Sequence, residues 1–282
     1  MKSIRALWMV TAALACNACR KPAVPRALPS ESPSYQLANS APGYSVGTRY
    51  IDRLVIAPGK DEGHPSAPSI TMEQDIRWEV LAPDRMELKV LRYEFLDTTT
   101  RKSIRPEPEG SLTGVPIYLR KSADQWQPEQ PLPAELSNES RRRIEAYALT
   151  ESKNYEQLMY STIPRHVGES WTTRDPKAFF DEPADDVSGL CIVTFTAVEA
   201  SQGKTIAHLH LDTEFQGRPR SSGSNWTRWH FLTEVRRSIE DKMDLETTSE
   251  GIVESWAAEA TLGDAPKSQH QSSAHIVREI LK

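Results

Sequence analysis

From Tyr44 onward the chain alternates apolar and polar positions with a period of two, which predicts strands. Tyr44 to Ile56 has strand density and breaks at Pro58-Gly59, opening a Gly/Pro/Ser loop that runs to Ser69. Ile70, Met72, Gln74, Ile76, Trp78 and Val80 then alternate with Thr71, Glu73, Asp75, Arg77 and Glu79, a long strand with one wet face. Ala82-Pro83-Asp84 turns the chain back. Met86, Leu88 and Val90 begin the return strand, and the apolar phase then slips by one to Leu91, Tyr93 and Phe95, which predicts a β-bulge and a curved sheet. A further hairpin is expected from Val115 through Gln127, turning at Ser122-Ala123-Asp124.

The period changes in the middle of the chain. Ser137 or Asn138 can cap a helix in which Ile144, Tyr147, Ala148, Tyr155, Leu158 and Met159 recur at helical spacing, so helix is expected over about 137–161, with Arg141 to Arg143 on its outer side. Pro164 ends it. Strands resume after Val167-Gly168-Glu169-Ser170-Trp171: a hairpin of Leu190 to Val198 with Ile206 to Phe215 around Ser201-Gln202-Gly203-Lys204, then Trp226 to Val235, Ile239 to Thr248 and Ile252 to Leu262. His275 to Leu281 reads as a strand or a short helix, with strand preferred. About ten strands and one helical insertion predict a mainly β fold, a single domain over 44–282 built as a curved antiparallel sheet or half barrel.

The amino terminus follows a different rule. Lys2 and Arg5 precede a nine-residue apolar run from Ala6 to Leu14, too short to span a bilayer and right for an export signal over 1–15. Ala12 to Cys16 resembles the lipobox of bacterial lipoproteins, in which the cysteine is acylated, so Cys16 is the expected lipid acceptor and Cys19 the second candidate. Residues 16–43, with Pro22, Pro25, Pro29, Pro33 and Pro42 among serines, read as a tether of polyproline character. Such a chain would sit in the cell envelope, on the outer membrane by the commoner sorting outcome, held there by the lipid alone. Losing Lys2 and Arg5 with the signal would leave 32 basic against 39 acidic side chains, a net charge of −7. That balance argues against nucleic acid as a partner. Three cysteines exclude a disulfide framework, and Cys191 reads as a buried small hydrophobe, although pairing with Cys19 stays open.

The order of lipobox, proline-rich tether, long amphipathic strands, helix, then a proline followed by Val167-Gly168-Glu169-Ser170-Trp171 resembles bacterial envelope lipoproteins that carry a Val-Gly-Asp-Ser-Trp-like turn at mid-chain. In layout it is similar to the half-barrel lipoprotein-localisation factors. That resemblance implies a hydrophobic ligand or an envelope-protein partner taken on the concave face, with no cofactor. A purely structural or assembly module remains the alternative.

One metal reading is open. His208 and His210 share a face of one strand with Asp212 and Glu214, and His230 follows on a later strand, so the three imidazoles are the candidate zinc ligands. The plainer reading is the wet side of a sheet. Ser201-x-x-Lys204 falls in a hairpin turn, not at a helix start, and Gly203-Lys204-Thr205 lacks the first glycine of a P-loop because Val198 stands there. Asp185-Asp186 and Glu107 with Glu109 sit in loops, and no catalytic constellation is visible.

Overall fold

A computed structural model describes residues 33–38, 45–58, 70–105, 111–123, 125–152, 159–173, 184–219, 225–257 and 268–281. The strands are β1 (Ser34–Tyr35), β2 (Arg49–Pro58), β3 (Ile70–Ala82), β4 (Arg85–Asp97), β5 (Ser103–Arg105), β6 (Pro116–Ser122), β7 (Gln125–Pro128), β8 (Arg165–His166), β9 (Ser170–Thr173), β10 (Ala184–Ser201), β11 (Lys204–Pro219), β12 (Trp226–Ser238), β13 (Met243–Trp256) and β14 (Ser268–Leu281). The helix α1 spans Asn138–Ser152. Twelve strands form one open antiparallel sheet in the order β7-β6-β4-β3-β2-β14-β13-β12-β11-β10-β9, with β5 on β4. The mainly β architecture, a curved antiparallel sheet with one short helix, is as the alternation implies.

Two meanders make up this sheet, and the last strand joins them. β2 to β7 run outward in chain order, β9 to β14 run inward, and β14 lies between β13 and β2. The tail is therefore a strand, and a central one. Register aligns residues in straight rows across the sheet. One row on the helix-bearing face reads Ile117, Leu88, Trp78, Tyr50, Ile280. Ile144 and Ala148 of α1 and Met243 complete this first core, all buried, with Tyr147 packed against it. Ser137 caps the helix, its Oγ accepting from the Ser140 amide at 3.0 Å. Arg141 to Arg143 do not all face outward: Arg143 lies 4.7 Å over the Tyr93 ring while pairing with Glu139 at 3.3 Å. Residues 153–158, and with them Tyr155 and Leu158, lie outside the described residues.

The slip in apolar phase on β4 is a bulge as expected. Asp75 and Ile76 are adjacent on β3 but pair with Arg92 and Val90, so Leu91 is the extra residue and is 41% exposed. The hairpin turn at Gln202-Gly203 has both residues at positive φ, the two-residue geometry that matches strand twist. Ile239 to Thr248 and Ile252 to Leu262 are not two strands: β13 runs unbroken through Met243–Trp256, and Ile239 belongs to the preceding turn. Gly251 invites a break on sequence grounds. In the fold it serves the close approach of Phe231, whose ring would lie 2.0 Å from a β-carbon at this position.

A second core sits beside the first on the same face. Cys191, Val193 and Phe195 of β10, Ala207, Leu209 and Leu211 of β11 and Val235 of β12 are buried beneath Tyr160, Leu37 and Ala38. Residues 34–38 therefore belong to the folded body, where proline and serine content reads as tether. Ser34 and Tyr35 pair with His166 and Arg165, and Tyr35 meets Phe195 edge-on at 5.7 Å. The strap is held by Arg237, which has no exposed surface. Its Nε donates to Leu37 O at 2.9 Å, one terminal nitrogen to Asp244 at 2.6 Å and the other to Lys242 O at 2.8 Å. Tyr160 stacks on the guanidinium at 4.2 Å and donates to the other Asp244 oxygen at 2.7 Å. Every direction of the buried charge is thus answered. Lys242 donates to Gln36 O, and burial, then the neighbouring Arg237, push its pKa down.

The Val167-Gly168-Glu169-Ser170-Trp171 turn is a structural joint. Gly168 sits at φ +91° and donates to Phe195 O at 2.6 Å, while Phe195 N donates to Glu169 O at 2.9 Å. Trp171 packs on the second core and donates to Met159 O at 2.8 Å. The amino-terminal expectations, including the signal at 1–15 and Cys16 and Cys19, lie outside the described residues.

Candidate functional site

Among the described residues the first core covers the helix-bearing face where β2 starts and β3 turns into β4, and the second core continues up β10 and β11. Beyond the first core one row reads Val193, Leu211, Thr233, Ser249, Ala274, Ile56, Met72, Phe95, of which Val193 and Leu211 belong to the second core. The row above that reads Cys191, Thr213, Phe231, Gly251, Ser272. On β13 and β14 every side chain here is small, whereas β12 and β2 on either side carry Phe231, Trp229 and Ile56. Among the described residues the result is a shallow groove along the strands, floored by Ser249, Ser272 and Ala274, with the Phe231 ring lying over Gly251. Its wall strands are three spacings apart, about 14 Å.

The groove sets aromatic and aliphatic walls against a floor in which serines predominate. Its floor is half-buried, not buried, and Ile56 and Ile70 are 38% and 42% exposed. Phe215 and Trp229 stack at 5.2 Å on one wall, and Tyr93 and Phe95 lie 5.5 Å apart beyond the other. Polar groups on the floor satisfy one another: Thr233 and Ser249 hydroxyls are 2.9 Å apart. At the lower end Arg278 grips Asp52 through two bonds of 2.6 and 2.8 Å and lies 4.3 Å over Tyr50, which stops the groove with a neutralised pair. Two shallow clefts lie elsewhere: about 350 Å³ beside Arg120 and Glu129, and about 590 Å³ at the lower strand ends between Thr48 and Lys242. Both are lined mostly by charged and polar groups already paired within the fold.

The histidines stand on the opposite face. His208, His210 and His230 do share it with Asp212 and Glu214, but each imidazole has its own carboxylate: Glu199 at 3.4 Å, Glu234 at 2.6 Å and Asp212 at 3.1 Å. Among the described residues no three His, Cys, Asp or Glu side chains converge as a metal group would require. The face is a ladder of ion pairs, in which Arg236 bridges Glu199 and Glu246 at 2.9 and 2.8 Å and Glu246 also meets His275 at 3.0 Å. Trp226 and Trp229 fall on opposite faces, as period two requires. Burial pushes the Cys191 thiol up, against a weaker pull from the Thr213 hydroxyl at 3.1 Å, so it stays protonated and packs as a hydrophobe.

The ladder carries a pH dependence. The Arg236 hydrogen bond, then that of His275, hold Glu246 below the usual carboxylate range. A depressed folded value means that the unfolded chain takes up the proton first, so this contribution is present above the unfolded value of about 4.3 and lost as pH falls below it. The carboxylate is a third exposed, and the expected contribution is about 0.5 kcal/mol. Glu246→Gln should flatten the acid limb of stability against pH, measured by urea denaturation at pH 7 and 3.5; an unchanged difference between the two would show that the bridge contributes nothing.

Sequence reasoning named no ligand-binding residue. The one available signal was the run of small residues in phase at Thr247, Ser249 and Gly251 and again at Ser272 and Ala274. Their opposite phase is also polar, so neither face announces itself as the inner one.

No family model matches the chain, and no curated protein matches it. Among solved structures it is similar to a lipovitellin chain described under lipid-protein interactions in lipovitellin, at 10% identity and a TM-score of 0.44, over 85% of this chain and 26% of that one. The chain thus spans about a quarter of that protein's length, and the likeness is too distant to carry a function across.

Proposed function

We propose that this chain is a lipid-anchored envelope protein that binds a hydrophobic ligand in the groove between β12 and β2. The observation that supports the reading is the half-buried strip between β12 and β2: among the described residues, aromatic and aliphatic walls stand beside a floor of serine and alanine, while the cores on either side are buried. Half-exposed aromatic and aliphatic side chains beside a strip of small residues are a common mark of a binding site. The lipobox-like run at Cys16 supplies the location.

The test uses the whole chain with Cys16→Ser, purified without detergent and offered a fluorescent long-chain fatty acid. One molecule should bind per chain, and Ser249→Trp, which fills the floor, should weaken binding about tenfold or more, worth at least ~1.4 kcal/mol. Leu232→Trp on the opposite face should leave it unchanged. Absence of uptake, or equal affinity in the groove-filled variant, would overturn the reading and favour an assembly role through a protein partner.

A further inference from the structure

The face that carries the ion-pair ladder also carries exposed aliphatic side chains. On β10 Cys191 and Val193 are buried in the second core, so Leu190 and Ile192 point the other way, and both are exposed. On β12 Val235 is buried on the core side, which puts Leu232, three residues earlier, on the ladder face, again exposed. Register brings these residues together. Ile192 and Leu232 lie on either side of Asp212, and Leu190 stands one row further along, opposite Glu214. Ile252 joins that second row on β13, opposite His230. Single aliphatic residues on a sheet surface are ordinary, but four in two adjacent rows make a patch.

The charges around the patch are mostly of one sign. Asp212, Glu214, Glu250 and Glu254 stand in its rows or the next one, against the guanidinium of Arg228, which meets Glu214 at 2.8 Å and Glu254 at 3.9 Å. Four carboxylates and one guanidinium leave a net charge of −3 with His230 neutral. Glu250 is exposed and pairs with no cation among the described residues. That sign selects the occupant. An anionic membrane surface and a second copy of the same face are both repelled, whereas a segment with an aliphatic stripe and a lysine or arginine rim is matched in both respects. Four strands, β10 to β13, span about 14 Å, enough for one helix of about 10–12 Å with its side chains. We propose that this face docks a basic amphipathic helix of a protein partner, with its aliphatic stripe on Ile192 and Leu232 and its cationic rim against the four carboxylates. A patch one helix wide is well below the roughly 800 Å² per partner of a stable complex, so the contact is weak and reversible.

The inference does not depend on the groove, and the test keeps the two apart. The whole chain with Cys16→Ser is titrated with a synthetic helical peptide of leucine and lysine, and with its counterpart of leucine and glutamate. The lysine peptide should bind, with an affinity that falls as salt is raised, and the glutamate peptide should not. Leu232→Lys should weaken binding about tenfold or more and Glu250→Lys about threefold or more, with the urea midpoint of each variant unchanged. Glu145→Lys makes the same charge change at an exposed position of α1, on the opposite face, and should leave binding as it was, as should Ser249→Trp in the groove. Equal losses in Glu145→Lys and Glu250→Lys would show that net charge alone is being read, and the docking face would be wrong. Failure of the lysine peptide to bind, equal binding of the glutamate peptide, or equal binding of phosphatidylglycerol vesicles would overturn the proposal as well.

Discussion

Arg237→Ala should cost about 3–5 kcal/mol of folding stability, the range found when one partner of a buried, fully bonded charge is removed. The guanidinium is the single group to which Leu37, Lys242, Asp244 and Tyr160 all turn. Its loss leaves two buried carbonyls without a donor, an acidic side chain without its cation and a hole the size of the largest side chain in that core. Arg237→Met refills part of the volume and should recover only a fraction, because the carbonyls and Asp244 stay unanswered. Urea denaturation of the two variants beside the parent checks this. A loss below about 1 kcal/mol for Arg237→Ala would show that the cluster relaxes around water and that the strap is held by packing alone.

The second large effect concerns the strap itself. A chain beginning at Pro33 should unfold at the same urea midpoint as the whole chain, whereas one beginning at Asn39 should lose about 4 kcal/mol or more. Leu37 alone removes a fully buried side chain, worth about 2–3 kcal/mol, and Arg237 then loses the acceptor of its Nε. The step between the two truncations is the diagnostic quantity. Equal midpoints would mean that residues 34–38 lie on the body without supporting it.

These two predictions mark where the sequence was silent. The run around Pro33 to Ala38 has no periodicity, and the residues that bury it are two hundred positions away on β12, so no local pattern could separate it from the rest of the proline-rich stretch. Arg237 did carry a readable clue: it is in phase with Val235, which puts it on the inner side of its strand, but the adjacent Arg236 makes the pair look like a solvated end. By contrast, Ile70 to Val80, the phase slip after Val90 and the Ser122-Ala123-Asp124 and Gln202-Gly203 turns depend on neighbours in sequence, and all were legible. Of the groove, the walls were visible as apolar strand residues. Its floor was not, since a small residue on a strand is informative only once the strands on both sides are known, and the partner of β14 comes from the far end of the chain.

The position of β14 has a consequence for how the protein is made. Arg278 and Asp52 are 226 residues apart in sequence yet adjacent in the sheet, so the loop they close is nearly the whole body. Until that closure, each meander ends in a long strand, β2 on one side and β13 on the other, whose outward backbone groups have no partner. Those two edges stay open until β14, which covers both of them and follows the other described strands in the chain, has been made. The same interval is when the edges would pair with the wrong chain, so slowed synthesis or shortage of chaperones should show up first as aggregation of half-made sheets.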